Sequence, residues 1–201
     1  LYRDARDWAH SGIIGEAQSI EYNYPVKLSM DGSHFFDLAN WIFGEKAISI
    51  QATLDTFSDI DHRGSRYFDP AGEVEVIYAG GQTLRLGGRN TNSDSEIGFL
   101  LRCSHGQIFI DAPRESRSHR FQEDHQVHLE SDRNTPFLNW FCRMIDAVTK
   151  SPDQDNSTIA TVSEGIQALE MVTAAHLSHQ SGGNPIPLPL GDLVGKPLRV
   201  A

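Results

Sequence analysis

His34 sits between two carboxylates, with Asp31 three residues before it and Asp37 three residues after. An imidazole titrates near pH ~6.5, so its neutral form can accept or relay a hydroxyl proton at working pH, and nearby carboxylates can orient it. On general grounds the same pattern more often serves capping or packing. The other histidines offer less. His125 and His128 are three apart in a strand-like run and point to opposite faces, which makes a poor chelate. His176 and His179 share a helix face near its C-terminus, where the helix dipole favours cationic imidazole, and no Cys or carboxylate partner is evident. A specific metal site is therefore not expected. Nucleophilic catalysis has no support either: no Gly-x-Ser-x-Gly elbow occurs, and neither Cys103 nor Cys142 lies in an electropositive loop. A polar stretch over residues 58–72 carries Asp59, Asp61, His62, Arg63, Arg66 and Asp69. It could line a polar site, but such runs are more often solvated loops.

The element that must position His34 is the run DGSHFFDLANWIFG, residues 31–44. Phe35, Leu38, Ala39, Ile42 and Phe43 repeat at the spacing of a helix facing a core. Ser33 reads as its N-cap and Gly44 as its C-terminal stop, which puts His34 in the first turn where a loop enters the helix. Upstream, Leu1, Ala5 and Trp8 mark a short helix ending near Ser11 and Gly12, and Ile20, Tyr22 and Tyr24 alternate with polar residues as a half-buried strand. Downstream, Ile48, Ile50, Ala52 and Leu54 give a second strand. A meander follows: Val74, Val76 and Tyr78, a turn at Gly80 and Gly81, then Leu84 and Leu86. Ile97, Phe99, Leu101 and Cys103 form the next strand, with a turn near residues 104–106, a return through Ile108 and Ile110, and a last strand at Val127 and Leu129.

Short connections force antiparallel neighbours, and apolar alternation on one face calls for a covering layer of helices. Two further helices are available. Thr135 and Pro136 start one that keeps Phe137, Phe141, Ile145 and Val148 on a stripe to Lys150, and after a polar linker over residues 151–158 a second spans residues 163–180 with Ile166, Leu169, Thr173 and Leu177 inward, stopped by Gly182 and Gly183. The expected fold class is α+β: an open, largely antiparallel sheet with helices packed on one face.

Composition agrees with one ordinary globular domain. The chain has 201 residues, 39% hydrophobic and 22% charged, enough to bury about 70% of its unfolded surface. A net charge of −10 argues against nucleic-acid binding, since phosphate backbones require a basic face. No apolar run reaches the length of a membrane span. The two cysteines fall in apolar segments and read as buried free thiols; with no signal peptide, the expected compartment is the cytoplasm. A dinucleotide-binding strand, Gly-x-Gly-x-x-Gly turn and helix is absent. The pairs Gly80-Gly81 and Gly87-Gly88 lie between strand-like runs and read as hairpin signals instead.

The string GSHFFDLANWIFGE, residues 32–45, resembles the Gly-Ser-His-x-x-Asp-x-x-x-Trp-x-x-Gly segment of the glucose-fructose oxidoreductase / inositol dehydrogenase (Gfo/Idh/MocA) family. SGIIGEAQSIEYNY, residues 11–24, is similar to that family's transition out of its cofactor domain. The segment from FLNWFCRMIDAV to EGIQALEMVTAAHLSHQSGGNPIPLPL resembles its closing part, where a last helix precedes a short final strand. The resemblance implies that residues 1–201 are a C-terminal substrate-binding and oligomerisation domain, with the N-terminal Rossmann cofactor domain absent from this sequence. It further implies an NAD or NADP-dependent oxidoreductase acting on a CH–OH group of a sugar, sugar derivative or cyclitol, inactive as this chain alone. His34 is then the proton relay, and the family's Glu-Lys-Pro lysine lies upstream, since Lys27 and Lys46 do not match it. Family members often carry an acidic residue four positions before the His, where this chain has Met30; Asp31, one place later, is the candidate substrate-binding carboxylate. The resemblance also implies a homodimer or homotetramer formed through the sheet face. The departure at Met30 and a shortened loop before His34 keep a second reading open, a non-catalytic binding or assembly module that kept the fold and lost the reaction.

Overall fold

The computed structural model describes residues 2–23, 26–55, 69–87, 98–111, 116–121, 126–130 and 160–191. The expected helix at residues 135–150 with Cys142, the linker after it, His125, and the polar stretch from Asp59 to Arg66 lie outside them.

Helix α1 (Tyr2–Ser11) leads into strand β1 (Ala17–Tyr22), a single π-helical turn (Leu28–Gly32), helix α2 (Ser33–Phe43) and strand β2 (Ala47–Leu54). Strands β3 (Gly72–Tyr78), β4 (Thr83–Leu86), β5 (Gly98–Cys103), β6 (Gly106–Asp111), β7 (Ser116–Phe121) and β8 (Gln126–Glu130) follow, then helix α3 (Val162–Gln180) and the two-residue strand β9 (Ile186–Pro187). These nine strands join one sheet in the order β8-β7-β6-β5-β1-β4-β3-β2-β9. Every pairing is antiparallel except β1 with β4. The exception follows from the crossover. Helix α2 carries the chain over the sheet, so β2 runs in the same direction as β1, and the β3–β4 hairpin fills the gap of two strands between them.

Period-2 alternation decides which face is covered. Ile50, Ala52, Leu54, Val74, Val76, Tyr78, Leu84 and Leu86 are buried, while Gln51, Thr53, Glu73 and Arg85 on the other face are exposed. Ile48, expected with the inward set, is exposed, next to the β-bulge where the β2–β3 register shifts between Ala47 and Ser49. On the open face Arg85 Nη2 pairs with Glu75 at 2.8 Å and Arg102 Nε with Glu21 at 3.3 Å; such cross-strand pairs keep a solvent-facing sheet polar. Cys103 is buried as expected, and burial pushes its thiol up to about 11. The Gly80-Gly81 hairpin forms between β3 and β4. Gly87 does something else: it ends β4 at φ +78°, its N–H donates to the Tyr22 carbonyl, and a Cβ there would collide with the Gly72 carbonyl. It is a close backbone approach, not a hairpin residue. Strand β7, SRSHRF, has no apolar alternation to announce it; β6 and β8 hold it by backbone pairing on either side.

Helix α3 corrects the expected packing face. Ile166 and Leu169 are 53% and 59% exposed, and the buried set is Ala168, Met171, Val172, Ala174, Ala175, His176 and Ser178. The small residues face inward because the end of α3 must come close to β2. Beyond its short pairing with β9, β2 has edge N–H groups to satisfy, and α3 supplies the acceptors: Ala52 N–H donates to Ser178 Oγ at 2.9 Å and Leu54 N–H to His179 Nδ1 at 3.2 Å. The N-terminus of α3 is closed by a capping box between Thr161 and Glu164.

Candidate functional site

Helix α2 stands as the sequence suggests, with two corrections. Its buried residues are Phe36, Ala39, Ile42 and Phe43, whereas Phe35 and Leu38 are half-buried. The stripe is rotated toward Phe36, and Phe35 stacks on Tyr22 with ring centroids 4.0 Å apart. Ser33 is not the N-cap. The chain is already helical at Gly32, because the π-turn runs straight into α2, and the Ser33 hydroxyl donates back to the Ser29 carbonyl at 2.7 Å. The C-terminal end matches expectation: Gly44 is left-handed at φ +65° and its N–H donates to the Asn40 carbonyl. Two further carbonyls of the last turn are taken by α1, Trp41 O by Arg6 Nε at 3.1 Å and Ile42 O by His10 Nε2 at 2.8 Å. The Arg6 guanidinium also lies 4.6 Å from the centre of the Trp41 ring.

His34 is exposed on the first turn of α2, on the side away from the buried stripe. It is not drawn into the core. Asp37, half-buried one turn on, has its carboxyl pushed above the usual range, first by burial, then by the Glu164 carboxylate, with His34 pulling it the other way. Glu164 is held ionised by the Thr161 N–H and hydroxyl, which lower its pKa. The residues that share an electrostatic environment with His34 thus come from two helices, α2 and the start of α3. Spacing along the chain reveals Asp37 but not Glu164, which is 130 residues away from His34.

Asp31 lies inside the π-turn, half-buried, and its Oδ2 accepts from the Lys27 N–H at 3.4 Å. Part of this carboxylate is therefore used on the backbone. Asp69, placed by sequence in a polar stretch that more often is a solvated loop, is 2% exposed and accepts the N–H groups of Ser29 and Met30 at 2.7 and 3.0 Å. It is a buried cap for the start of the helical path, supplied from 40 residues downstream of Ser29, a role that spacing cannot show.

His176 on α3 is also buried. Burial lowers its pKa, the Asp69 carboxylate raises it and His179 lowers it again, for a net fall. Below pH ~6.5 the unfolded chain binds a proton on this imidazole that the folded chain resists, so stability contributed here is complete above that pH and is lost as pH falls through it. Melting temperature should therefore drop between pH 7 and pH 5 more steeply in the parent than in His176→Gln; parallel curves would show that another group carries the slope. Among the described residues no group of three or more His, Cys, Asp or Glu could hold a metal ion, and no helix is long and apolar enough to cross a membrane.

No protein-family model matches the chain, and no curated protein does. Solved structures do. An oxidoreductase from Sinorhizobium meliloti aligns with a TM-score of 0.69 at 17% identity, covering 92% of this chain and 61% of its own. An inositol dehydrogenase homolog from Azotobacter vinelandii, complexed with NADH and myo-inositol, gives 0.69 at 14% identity over 93% and 61%. The super-repressor mutant of Gal80p from Saccharomyces cerevisiae gives 0.64 at 11% identity over 92% and 61%. The chain spans about three-fifths of the length of each of these structures. At these TM-scores the chain has the fold of the Gfo/Idh/MocA-type oxidoreductase structures over that share of their length.

Proposed function

We propose that these residues are the substrate-binding part of an NAD or NADP-dependent oxidoreductase acting on a CH–OH group of a sugar, sugar derivative or cyclitol. The observation that carries the reading is the exposed imidazole of His34 on a first helical turn whose leading backbone is clamped by Asp69 and Ser33, in a fold shared with an inositol dehydrogenase homolog complexed with NADH and myo-inositol. The 201 residues contain no Gly-x-Gly-x-x-Gly turn, so the dinucleotide is assigned to a separate N-terminal segment and not to side chains of this chain. When bound there, the nicotinamide supplies the hydride chemistry at the carbinol carbon. The work of this chain is to hold the sugar and move the hydroxyl proton through an imidazole nitrogen of His34. Asp31 offers its second carboxylate oxygen to a substrate hydroxyl. Pairing of two or four copies through the polar sheet face and a cytoplasmic location complete the proposal, and the 201 residues alone are inactive in it.

A second reading has two observations in its favour. Met30 stands where the family often carries an acid, and it is exposed, with no carboxylate to offer. The super-repressor mutant of Gal80p shares the fold, so the same layers also serve a protein that represses. The chain would then be a binding or assembly module. The readings separate on the full-length protein, offered a panel of sugars and cyclitols with NAD and with NADP. Reduction of either cofactor with any polyol supports the enzyme. A protein whose gene encodes neither Gly-x-Gly-x-x-Gly nor Glu-Lys-Pro, and which turns over nothing in the panel, is the module.

A further inference from the structure

The first turn of a helix leaves its N–H groups without partners inside the helix, and whatever satisfies them fixes where that turn points. Here the helical path begins at Leu28, not at Ser33, because the π-turn and α2 are continuous. The three leading N–H groups are all met by one strap just before β3. Leu28 N–H donates to the Pro70 carbonyl at 3.0 Å, Ser29 N–H to Asp69 Oδ1 at 2.7 Å and Met30 N–H to Asp69 Oδ2 at 3.0 Å. The strap is itself tied to the sheet, with Asp55 N–H at the end of β2 donating to the Ala71 carbonyl at 2.8 Å. From Ser29 the path to the imidazole is short: the Ser29 carbonyl accepts from Ser33 Oγ at 2.7 Å, and His34 is the next residue.

We propose that Asp69 is a positioning residue for His34, holding the π-turn, and through it the first turn of α2, in register with the sheet. The proposal rests on the reading of His34 as the proton relay. A buried carboxylate that receives two backbone N–H groups forms charge-assisted bonds, which are stronger and more directional than neutral ones. A π-turn is a rare form that occurs often at functional sites, and an external clamp on its leading N–H groups holds it to one conformation. Both Asp69 oxygens are engaged by the backbone of the turn, and the effect on His34 passes through that backbone.

The test uses the full-length protein with Asp69→Ala, Asp69→Asn, His34→Ala and the Asp69→Ala/His34→Ala pair, each measured on its folded fraction, with the His34 ring signal followed by NMR without substrate. Misplacing a reacting group by a fraction of an ångström to an ångström lowers turnover on the order of 10- to 100-fold, and that is the fall in kcat expected of Asp69→Ala, with KM little changed. Asp69→Asn keeps one acceptor and should fall between Asp69→Ala and the parent; it also serves if Asp69→Ala does not fold. The pair should match His34→Ala alone, because a residue that acts only through His34 has nothing left to act on. The ring signal of His34 should shift or broaden in both Asp69 variants. An unmoved ring signal, or losses that multiply in the pair, would overturn the proposal. If His34→Ala itself keeps full turnover, the proton-relay reading fails, and the ring signal still decides whether Asp69 places the imidazole.

Discussion

Phe36→Ala should destabilise the fold by about 3–5 kcal/mol, the usual cost of emptying a fully buried aromatic site. Phe36 has no exposed surface, and it belongs to the same core as Ile20, Ile50, Val76 and Leu84 from the sheet beneath. A loss of this size is a large part of the ~5–15 kcal/mol that ordinary domains possess, and at about 2–4 °C per kcal/mol it should lower the melting temperature by roughly 10 °C. Phe35→Ala is the control. Its ring is half-buried against Tyr22, so truncation removes one stacking contact and part of the burial, about 1–2 kcal/mol. Thermal melts of the two variants check the rotation of α2 directly. If Phe35→Ala proved the more damaging, the helix would face the sheet with the stripe that periodicity alone suggests, and His34 would sit nearer the core.

That pair of neighbours also shows how much of the structure is legible in the chain. Strands β1 to β6 and the β3–β4 turn follow from alternation and Gly placement, because a half-buried strand must repeat at two and a tight turn must admit unusual backbone angles. Helices α2 and α3 are legible as helices from their spacing; the α2 stripe is right at Ala39, Ile42 and Phe43 but misses Phe36, while periodicity misplaces the inward face of α3. In α2 Phe35 and Phe36 are adjacent and equally apolar, so composition does not choose between them; tertiary packing buries Phe36 and leaves Phe35 against Tyr22. In α3 the bulky Ile166 and Leu169 attract the reading inward, while the real contact with β2 is made by Ala, Ser and His residues that bring the backbones close and cap a strand edge. Strand β7 is invisible to alternation because its neighbours, not its own side chains, make it a strand. The place of His34 on a first helical turn is legible to the residue. Its surroundings are not: the cap comes from Asp69, and the carboxylate that acts on neighbouring Asp37 comes from Glu164, and both are brought in only by the tertiary fold.

His34→Ala should lower turnover of the full-length protein by ~10²-fold or more with its folding intact, as loss of a general acid or base does. Such a loss corresponds to about 2.7 kcal/mol of transition-state stabilisation. The structure makes the prediction clean, because the imidazole is exposed and lies off the buried stripe of α2. Truncating it opens no cavity, and alanine is the better helix former by a few tenths of a kcal/mol, so the melting temperature should hold or rise slightly. A proton relay acts as charge develops on the carbinol oxygen, so the deficit belongs in kcat more than in KM. Full turnover in the variant would refute the assignment outright. A fall in turnover accompanied by a fall in melting temperature would instead mark His34 as part of the scaffold that Asp69 and Phe36 hold in place, and the search for the proton-transferring group would move to Asp37, the carboxyl that burial and Glu164 already push upward beside it.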